Sequence, residues 1–535
     1  MLSMRKDHSA HFVRYQGVLP FLLFGALLLL GLSIHRDFGV SLDELVQQDY
    51  GRAVLSFYTQ GDRRFLGLHE AWYGPLFELA CAFAEVQLGL SSSESVLHLR
   101  RLITYGLFLL ALIALYQITK RIFESHSLAL LAVILMIASP RIFTHSFINT
   151  KDIPALSFFI LSFFTLLLFG ERSSYSRAAL HGVVNGLLID IRITGILIVL
   201  LTMLVAFMRL GVKSERGRPA MYALIVYSLS MVITVVLFWP LLWVKPLANF
   251  AAALGLMKNY PLTVPALYQG ELFASTALPW HYSFTWIAIT TPITVLFFGV
   301  VGLVAAPFAK RFGVKRLYIA LIGLWLCVPL VSVVLFESAL YDGWRQLYFV
   351  YPALVLCAVY AVHVMSNLVS RRHVVLKVLA ALIVCLGGYD LSQVTSFMIH
   401  AHPNQHIYFN QFVGGVAGAK GNFEMDYWGL SSSGLLREML ETKPSATLSV
   451  AGRTYKVGNA VDIAAHALPK ELRSRLRVST EPSQAQYFLT TFRAVLDQEQ
   501  NVFASWTDVH PRFNNVTPSY VVVVDNVAIS ALYRQ

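Results

Sequence analysis

Charged side chains are scarce in this chain, at 13% against 56% hydrophobic, where a soluble domain carries about a quarter charged residues. That deficit excludes an ordinary soluble enzyme. Apolar runs long enough to cross hydrocarbon recur from the N-terminal region to about residue 397. Cysteine is equally sparse. The four present (Cys81, Cys327, Cys357 and Cys385) lie in apolar surroundings without a C-x-x-C pair, so neither a disulfide nor a thiolate metal site is expected. Nucleotide motifs are missing too: there is no Rossmann glycine fingerprint and no G-x-x-x-x-G-K-[ST] loop. The first apolar run, 17–34, lacks a small-residue cleavage site and reads as an anchor, not a removed signal peptide.

What is present is an ordered series of apolar segments. The net charge of +12 sits in short basic clusters between them, the pattern of cytoplasmic loops and not of a nucleic-acid surface. Arg5, Lys6 and Arg14 precede the first run and place the N-terminus in the cytoplasm. Further crossings are expected at 102–118, 128–143, 155–169, 222–243, 286–306, 317–336, 347–368 and 378–397. The run 181–208 is basic on both flanks and carries Asp190, Arg192 and Gly195 in its middle. It reads as two short helices meeting near 190–195, a break that is tolerated where protein or a cavity covers it. An internal Asp190–Arg192 ion pair holding the bundle is the plainer account of those charges.

These segments amount to eleven crossings, which leaves 399–535 outside as a small soluble α/β domain. Between the first two crossings, 45–100 carries Glu70, Glu78 and Glu85 in apolar surroundings. A carboxylate at mid-bilayer costs roughly 2–4 kcal/mol, so amphipathic helices along the outer surface are expected there, with a further span as the alternative. The stretch 245–283, rich in Pro, Tyr and Trp, reads as an interfacial external loop. The fold class expected is a polytopic α-helical membrane protein, 1–398, followed by the external domain.

The unusual polar residues fall on one side of this topology: Asp43, Glu44, His69, Glu70, His145, Lys151, Asp152, Lys258, His281, Asp342, Arg345, His400 and His402. An active site on the outer face follows. Carboxylates from different loops combined with cations suit transfer from a phosphate-linked donor. A carboxylate within about 3 Å of an attacking hydroxyl serves as general base, and a guanidinium holds a phosphate in a two-pronged grip. Outside the cytoplasm such a donor has to be carried on lipid.

Five stretches then support a family resemblance: Asp43-Glu44 in the first external loop, HEAWYGP at 69–75, LRRL at 99–102, the segment 140–154 ending in KDIP, and Trp344-Arg345 through Pro352. In order and sidedness they resemble the GT-C glycosyltransferases of the protein O-mannosyltransferase and aminoarabinose transferase type (glycosyltransferase families 39 and 83), bacterial branch. The stretch 70–74 departs from the family's proline-rich loop motif. The resemblance implies a GT-C fold and inverting transfer of a sugar from a polyprenyl-phosphate carrier to an acceptor hydroxyl, at the periplasmic face of a bacterial inner membrane. It makes Asp43 the base, Glu44 its supporting neighbour and Asp152 the second-loop acid. Arg101 (or Arg100) and Arg345 would meet the lipid phosphate, with His69, Lys258 and His281 as further donor contacts. The acceptor is a protein, lipid or glycan, membrane lipid is the surrounding partner, and no nucleic acid is involved. No cofactor is implied; a divalent metal among Asp43, Glu44 and Asp152 is chemically conceivable but not expected. Two other classes compete: a transporter or flippase using Asp190 and Arg192, and a membrane scaffold indifferent to Asp43.

Overall fold

The computed structural model describes residues 17–534 apart from 173, 211–216, 259–263, 370–373, 453, 456–457, 494, 498–501 and 505–515. The orientation residues Arg5, Lys6 and Arg14, and the side chain of Lys258, lie outside the described residues.

Among the described residues, seven helices are long and apolar enough to cross a bilayer: Ser93–Phe123, Asp152–Glu171, Met221–Phe238, Ile293–Phe312, Arg316–Leu335, Arg345–Val369 and Val374–His400. Shorter apolar helices accompany them at Leu19–Ile34 and Ile193–Met208. The chain is a polytopic α-helical membrane protein. Arg345–Val369 is its central element, with 89% of its apolar stretch buried, whereas Val374–His400 is peripheral, with none buried. Small residues set the central packing: a Cβ at Gly302 would lie 1.9 Å from the Cys357 carbonyl oxygen, so only glycine lets those two backbones touch.

Proline redraws two expected segments. The run 128–143 ends as a helix at Ile137 and restarts as Pro140–Ile148, bent by 74°. Pro140, which has no N–H to continue a helix, occupies the first position of the new one. Every residue of Pro140–Ile148 is buried, so His145, expected in a loop, sits inside the protein. Similarly, 286–306 divides into Tyr282–Thr290 and Ile293–Ala305 around Pro292. The run 181–208 does consist of two helices, Tyr175–Ile191 and Ile196–Leu210, joined by a 3₁₀ turn at Ile193–Gly195.

The stretch 45–100 contains the helices Leu42–Gln60 and Leu76–Gln87. Its buried carboxylates are accounted for by pairing. Arg100 binds Glu78 and reaches Glu85 at 2.9 Å, and Arg52 reaches Glu85 at 3.0 Å. Removing one partner of such a buried set is far costlier than forming it is favourable. The stretch 245–283, expected as an external loop, holds a helix, Pro246–Lys258, and a hairpin pairing Pro265–Tyr268 with Glu271–Ala274.

Beyond His400 the chain builds a small β-containing domain. Its five-stranded sheet runs in the order Tyr520–Val524, Val527–Arg534, Tyr487–Thr490, Leu448–Gly452, Leu476–Ser479. The first two pairings are antiparallel and both pairings of Leu448–Gly452 are parallel. The helix Ser432–Thr442 buries Leu435, Leu436, Met439 and Leu440, one helical face, against it. The connecting segment is locked into the membrane part. Arg141 Nε donates to the Tyr408 carbonyl at 3.0 Å and Thr144 Oγ1 to Gln405 at 3.1 Å. A Cβ on Gly39 would stand 1.8 Å from the Leu430 carbonyl oxygen.

Candidate functional site

The site begins with a helix cap. Ser41 Oγ accepts from the Glu44 amide at 3.1 Å while the Ser41 amide donates to Glu44 Oε2 at 2.8 Å, a reciprocal capping box. Glu44 is thereby turned inward and buried, and burial pushes its carboxyl above the usual range against the pull of Arg101. Its neighbour Asp43 points the other way and keeps 36% of its side chain exposed.

A second acid arrives from the break after Pro140–Ile148. Asn149 Oδ1 accepts from the amides of Lys151 at 3.2 Å and Asp152 at 2.7 Å, and Asn149 Nδ2 donates to Asp152 Oδ2 at 2.8 Å. Asp152 therefore starts its helix at the positive dipole end. It is buried and bound by two guanidinium groups, Arg192 and, at 3.1 Å, Arg345.

Arg345 joins the acids. Its Nη1 lies 3.2 Å from Asp43 Oδ2 and its Nη2 lies 3.2 Å from Asp342 Oδ2. The guanidinium carbon is 5.0 Å from the ring centres of both Tyr341 and Trp428, distances at which a cation and a ring attract. Asp342 and Gly343 both have positive φ, 57° and 72°, the backbone that Asp-Gly accommodates in a tight turn. That turn directs Asp342 and Arg345 into the same cluster. From the C-terminal domain, Arg493 Nη2 donates to Asp342 Oδ1 at 2.7 Å, and His145 Nε2 lies 3.0 Å from the Tyr427 hydroxyl. Asp152, Asp342 and Arg345 are buried. Asp43 is the carboxylate of this cluster that an incoming molecule can reach.

Of the residues expected from sequence, Asp43, Asp152 and Arg345 come together. Glu44 stands behind them. Arg101 is buried, donating to the carbonyls of Gly39 at 2.8 Å and His35 at 3.4 Å, with Nε 3.6 Å from Glu44. Arg100 is taken up by Glu78 and Glu85. His69 lies in a 3₁₀ turn with its ring 6.2 Å from that of Tyr73. His281 bonds the Tyr268 hydroxyl at 2.5 Å, beside the hairpin Pro265–Ala274. The side chain of Lys258 lies outside the described residues.

One pairing differs from expectation. Arg192 binds Asp152, not Asp190, whose two carboxylate oxygens are buried without a hydrogen-bond partner. The helix ends at Ile191 and Arg192 has an extended backbone, with φ −145° and ψ 124°, so the two side chains do not share a helical face. The feature on which a transporter reading rested is therefore missing. Asp426, too, is used locally: it accepts from the amides of Leu430 and Ser431 at 2.9 and 3.0 Å and lies 3.1 Å from His406. Trp428, two residues on, covers Arg345. Arg192 and Arg493 join the cluster although nothing in the sequence points to them for it; Asp342 stands among the polar residues expected on one side, and the turn sequence Asp342-Gly343 just before Arg345 is its local signal. Among the described residues no group of three or more His, Cys, Asp or Glu side chains is placed to hold a metal ion.

Comparisons with known proteins fit this architecture. The model of a family described as dolichyl-phosphate-mannose-protein mannosyltransferase matches residues 90–243, which include Arg100, Arg101, Asp152 and Arg192. No curated protein matches the chain. Among solved structures, ArnT from Cupriavidus metallidurans bound to undecaprenyl phosphate aligns over 96% of this chain and 98% of its own, with a TM-score of 0.51 and 12% identity. The same protein in the apo state aligns over 96% and 98% with a TM-score of 0.50 and 13% identity. The chain shares the ArnT fold. Nearly complete coverage of both chains means that the β-containing C-terminal domain is part of the shared architecture and not an appendage to it.

Proposed function

We propose that the protein is an inverting GT-C glycosyltransferase that moves a sugar from a polyprenyl-phosphate carrier to an acceptor hydroxyl at the periplasmic face of a bacterial inner membrane. Asp43 carries the reading. It is the exposed carboxylate in a cluster otherwise buried and charge-matched, the arrangement a general base needs if the acceptor is to reach it. In the reaction the acceptor O–H gives its proton to Asp43 as its oxygen bonds the anomeric carbon. The anomeric carbon–phosphate oxygen bond breaks on the opposite face, and its electron pair leaves with the polyprenyl phosphate. Configuration inverts because one displacement occurs.

The remaining assignments follow from contacts. Arg345 fixes the orientation of Asp43 and is itself held by Asp152 and Asp342; Arg192 holds Asp152. Glu44 caps the helix that presents Asp43. Arg101, expected at the phosphate, is reassigned to tying Glu44 to the Gly39 carbonyl, which steadies the same loop. The ArnT structure of matching fold contains undecaprenyl phosphate, which supports a polyprenyl-phosphate donor. In this reading the N-terminus is cytoplasmic and the number of crossings is odd, so the cluster and the C-terminal domain would face the periplasm.

The test is direct. Purified protein in detergent, given polyprenyl-phosphate sugars and candidate hydroxyl acceptors, is expected to release polyprenyl phosphate and form product with inverted anomeric configuration. Retained configuration, or full turnover by an Asp43→Asn variant, would overturn the assignment.

A further inference from the structure

The cations of the cluster are unequally committed. Arg345 is shared among Asp43, Asp152 and Asp342. Arg192 is on Asp152, and Arg493 is on Asp342 and the Tyr427 carbonyl. Three carboxylates thus face three arginines. Glu424, 3.9 Å from Arg493 Nε, does not tip this balance, because burial pushes its carboxyl up to about 8. A phosphate approaching Arg345 would have to displace a carboxylate from its terminal N–H groups, and its Nε is buried.

Lys151 is different. It immediately precedes Asp152 and is partly exposed. Its ammonium lies 3.7 Å from the ring centre of Tyr73, in the 69–75 stretch. Among the described residues this ammonium makes no ion pair or hydrogen bond, although Asp43 and Asp152 lie within electrostatic range. It is the surplus positive charge of the cluster, accessible beside the accessible acid. An aromatic face attracts an ammonium but leaves its N–H donors open.

We infer that Lys151, seated on the Tyr73 ring, receives the phosphate of a lipid-phosphate donor. The inference rests on the glycosyltransferase reading above and names the residue within it that meets the leaving phosphate. It moves that role from Arg345 and Arg101, whose terminal N–H groups are engaged by carboxylates or carbonyls and whose Nε groups are buried, to a lysine that can turn its three N–H groups toward an anion. A phosphate there lies next to Asp43, so the anomeric carbon it carries is brought toward the base. Burial first, and then Arg192, hold the Lys151 ammonium down to about 8, with Asp43 and Asp152 opposing and Arg345 adding to the fall. The charge is therefore present at neutral pH and lost as pH rises through that value.

The experiment measures binding of farnesyl phosphate, farnesol and inorganic phosphate to the full-length protein in detergent, for wild type, Lys151→Gln and Lys151→Arg, with thermal melting of each variant alongside. Wild type is expected to prefer farnesyl phosphate to farnesol, with affinity declining above about pH 8. Lys151→Gln is expected to lose about tenfold or more of farnesyl phosphate affinity while binding farnesol unchanged. Lys151→Arg should retain the preference and lose the alkaline decline. Unchanged phosphate preference in a folded Lys151→Gln protein would overturn the inference alone. Equal binding of farnesyl phosphate and farnesol by wild type would overturn the donor reading beneath it. Inorganic phosphate competing as strongly as farnesyl phosphate would make this a free-anion site and overturn the lipid assignment.

Discussion

Arg345 Nη1 stands 3.2 Å from Asp43 Oδ2, tying the first turn of the helix Leu42–Gln60 to the start of the most deeply buried span, Arg345–Val369. The contact gives Asp43 a fixed direction without enclosing it. The other acids around Arg345 are enclosed, and this difference in exposure separates a chemical role from a supporting one.

Replacing Asp43 by Asn should therefore remove the base without disturbing the fold. Turnover of a polyprenyl-phosphate sugar is expected to fall about 10²–10⁴-fold, the usual worth of a positioned general base. The thermal midpoint should stay near wild type because the side chain is already partly in solvent. Product formation and melting, measured on the same preparation, check both halves of the expectation.

Asp152→Asn should behave differently. Its carboxylate is buried between Arg192 and Arg345, and an amide leaves both cations undercompensated. Breaking a buried pair in this way costs about 3–5 kcal/mol. A clear drop in thermal midpoint, absent in Asp43→Asn, is the expected signature; equal melting of the two variants would show that Asp152 carries no such burden.

The C-terminal domain should carry a pH dependence of its own. Burial pushes the Glu424 carboxyl from its ordinary 4.5 up to about 8, with Asp342 adding to the rise and Arg493 opposing it. A group whose folded-state value is raised contributes stability that is full below the unfolded value and lost as pH climbs through the folded one. Wild type should lose thermal stability between those two values, and Glu424→Gln should flatten that slope. Parallel melting-against-pH curves for the two proteins would count against it.

Gly39 tests how the domains dock. A methyl group there meets the Leu430 carbonyl oxygen at 1.8 Å, so the backbones must part. Gly39→Ala is expected to cost about 1–3 kcal/mol, as overpacking does, and to expose the 401–431 connection to limited proteolysis. Wild-type melting and cleavage would mean that the two segments separate freely.

Much of the membrane architecture was legible because the bilayer demands it. Long apolar runs bounded by basic clusters have no other good solution in hydrocarbon, and the broken run 181–208 announced its break through Asp190, Arg192 and Gly195. Two breaks were misjudged. Pro140, beside Arg141 near the end of its apolar run, and Pro292, inside its own, each end a helix where hydropathy is blind to a missing N–H. The outer-face position of Asp43, Asp152 and Arg345 could be argued from loop order. Their convergence could not, since nothing local sets the distance between residues so far apart in the chain.

The sequence by itself determined that this is a polytopic membrane protein with a β-containing C-terminal region. Composition and hydropathy suffice for that, because burial in lipid is a property of whole segments. Only the tertiary structure decided which charges meet: Arg192 turns to Asp152 and leaves Asp190 alone, Arg101 is spent on backbone carbonyls, and Lys151 keeps its charge uncommitted. Pairing depends on direction and distance across the bundle, and a one-dimensional pattern of charges does not contain them.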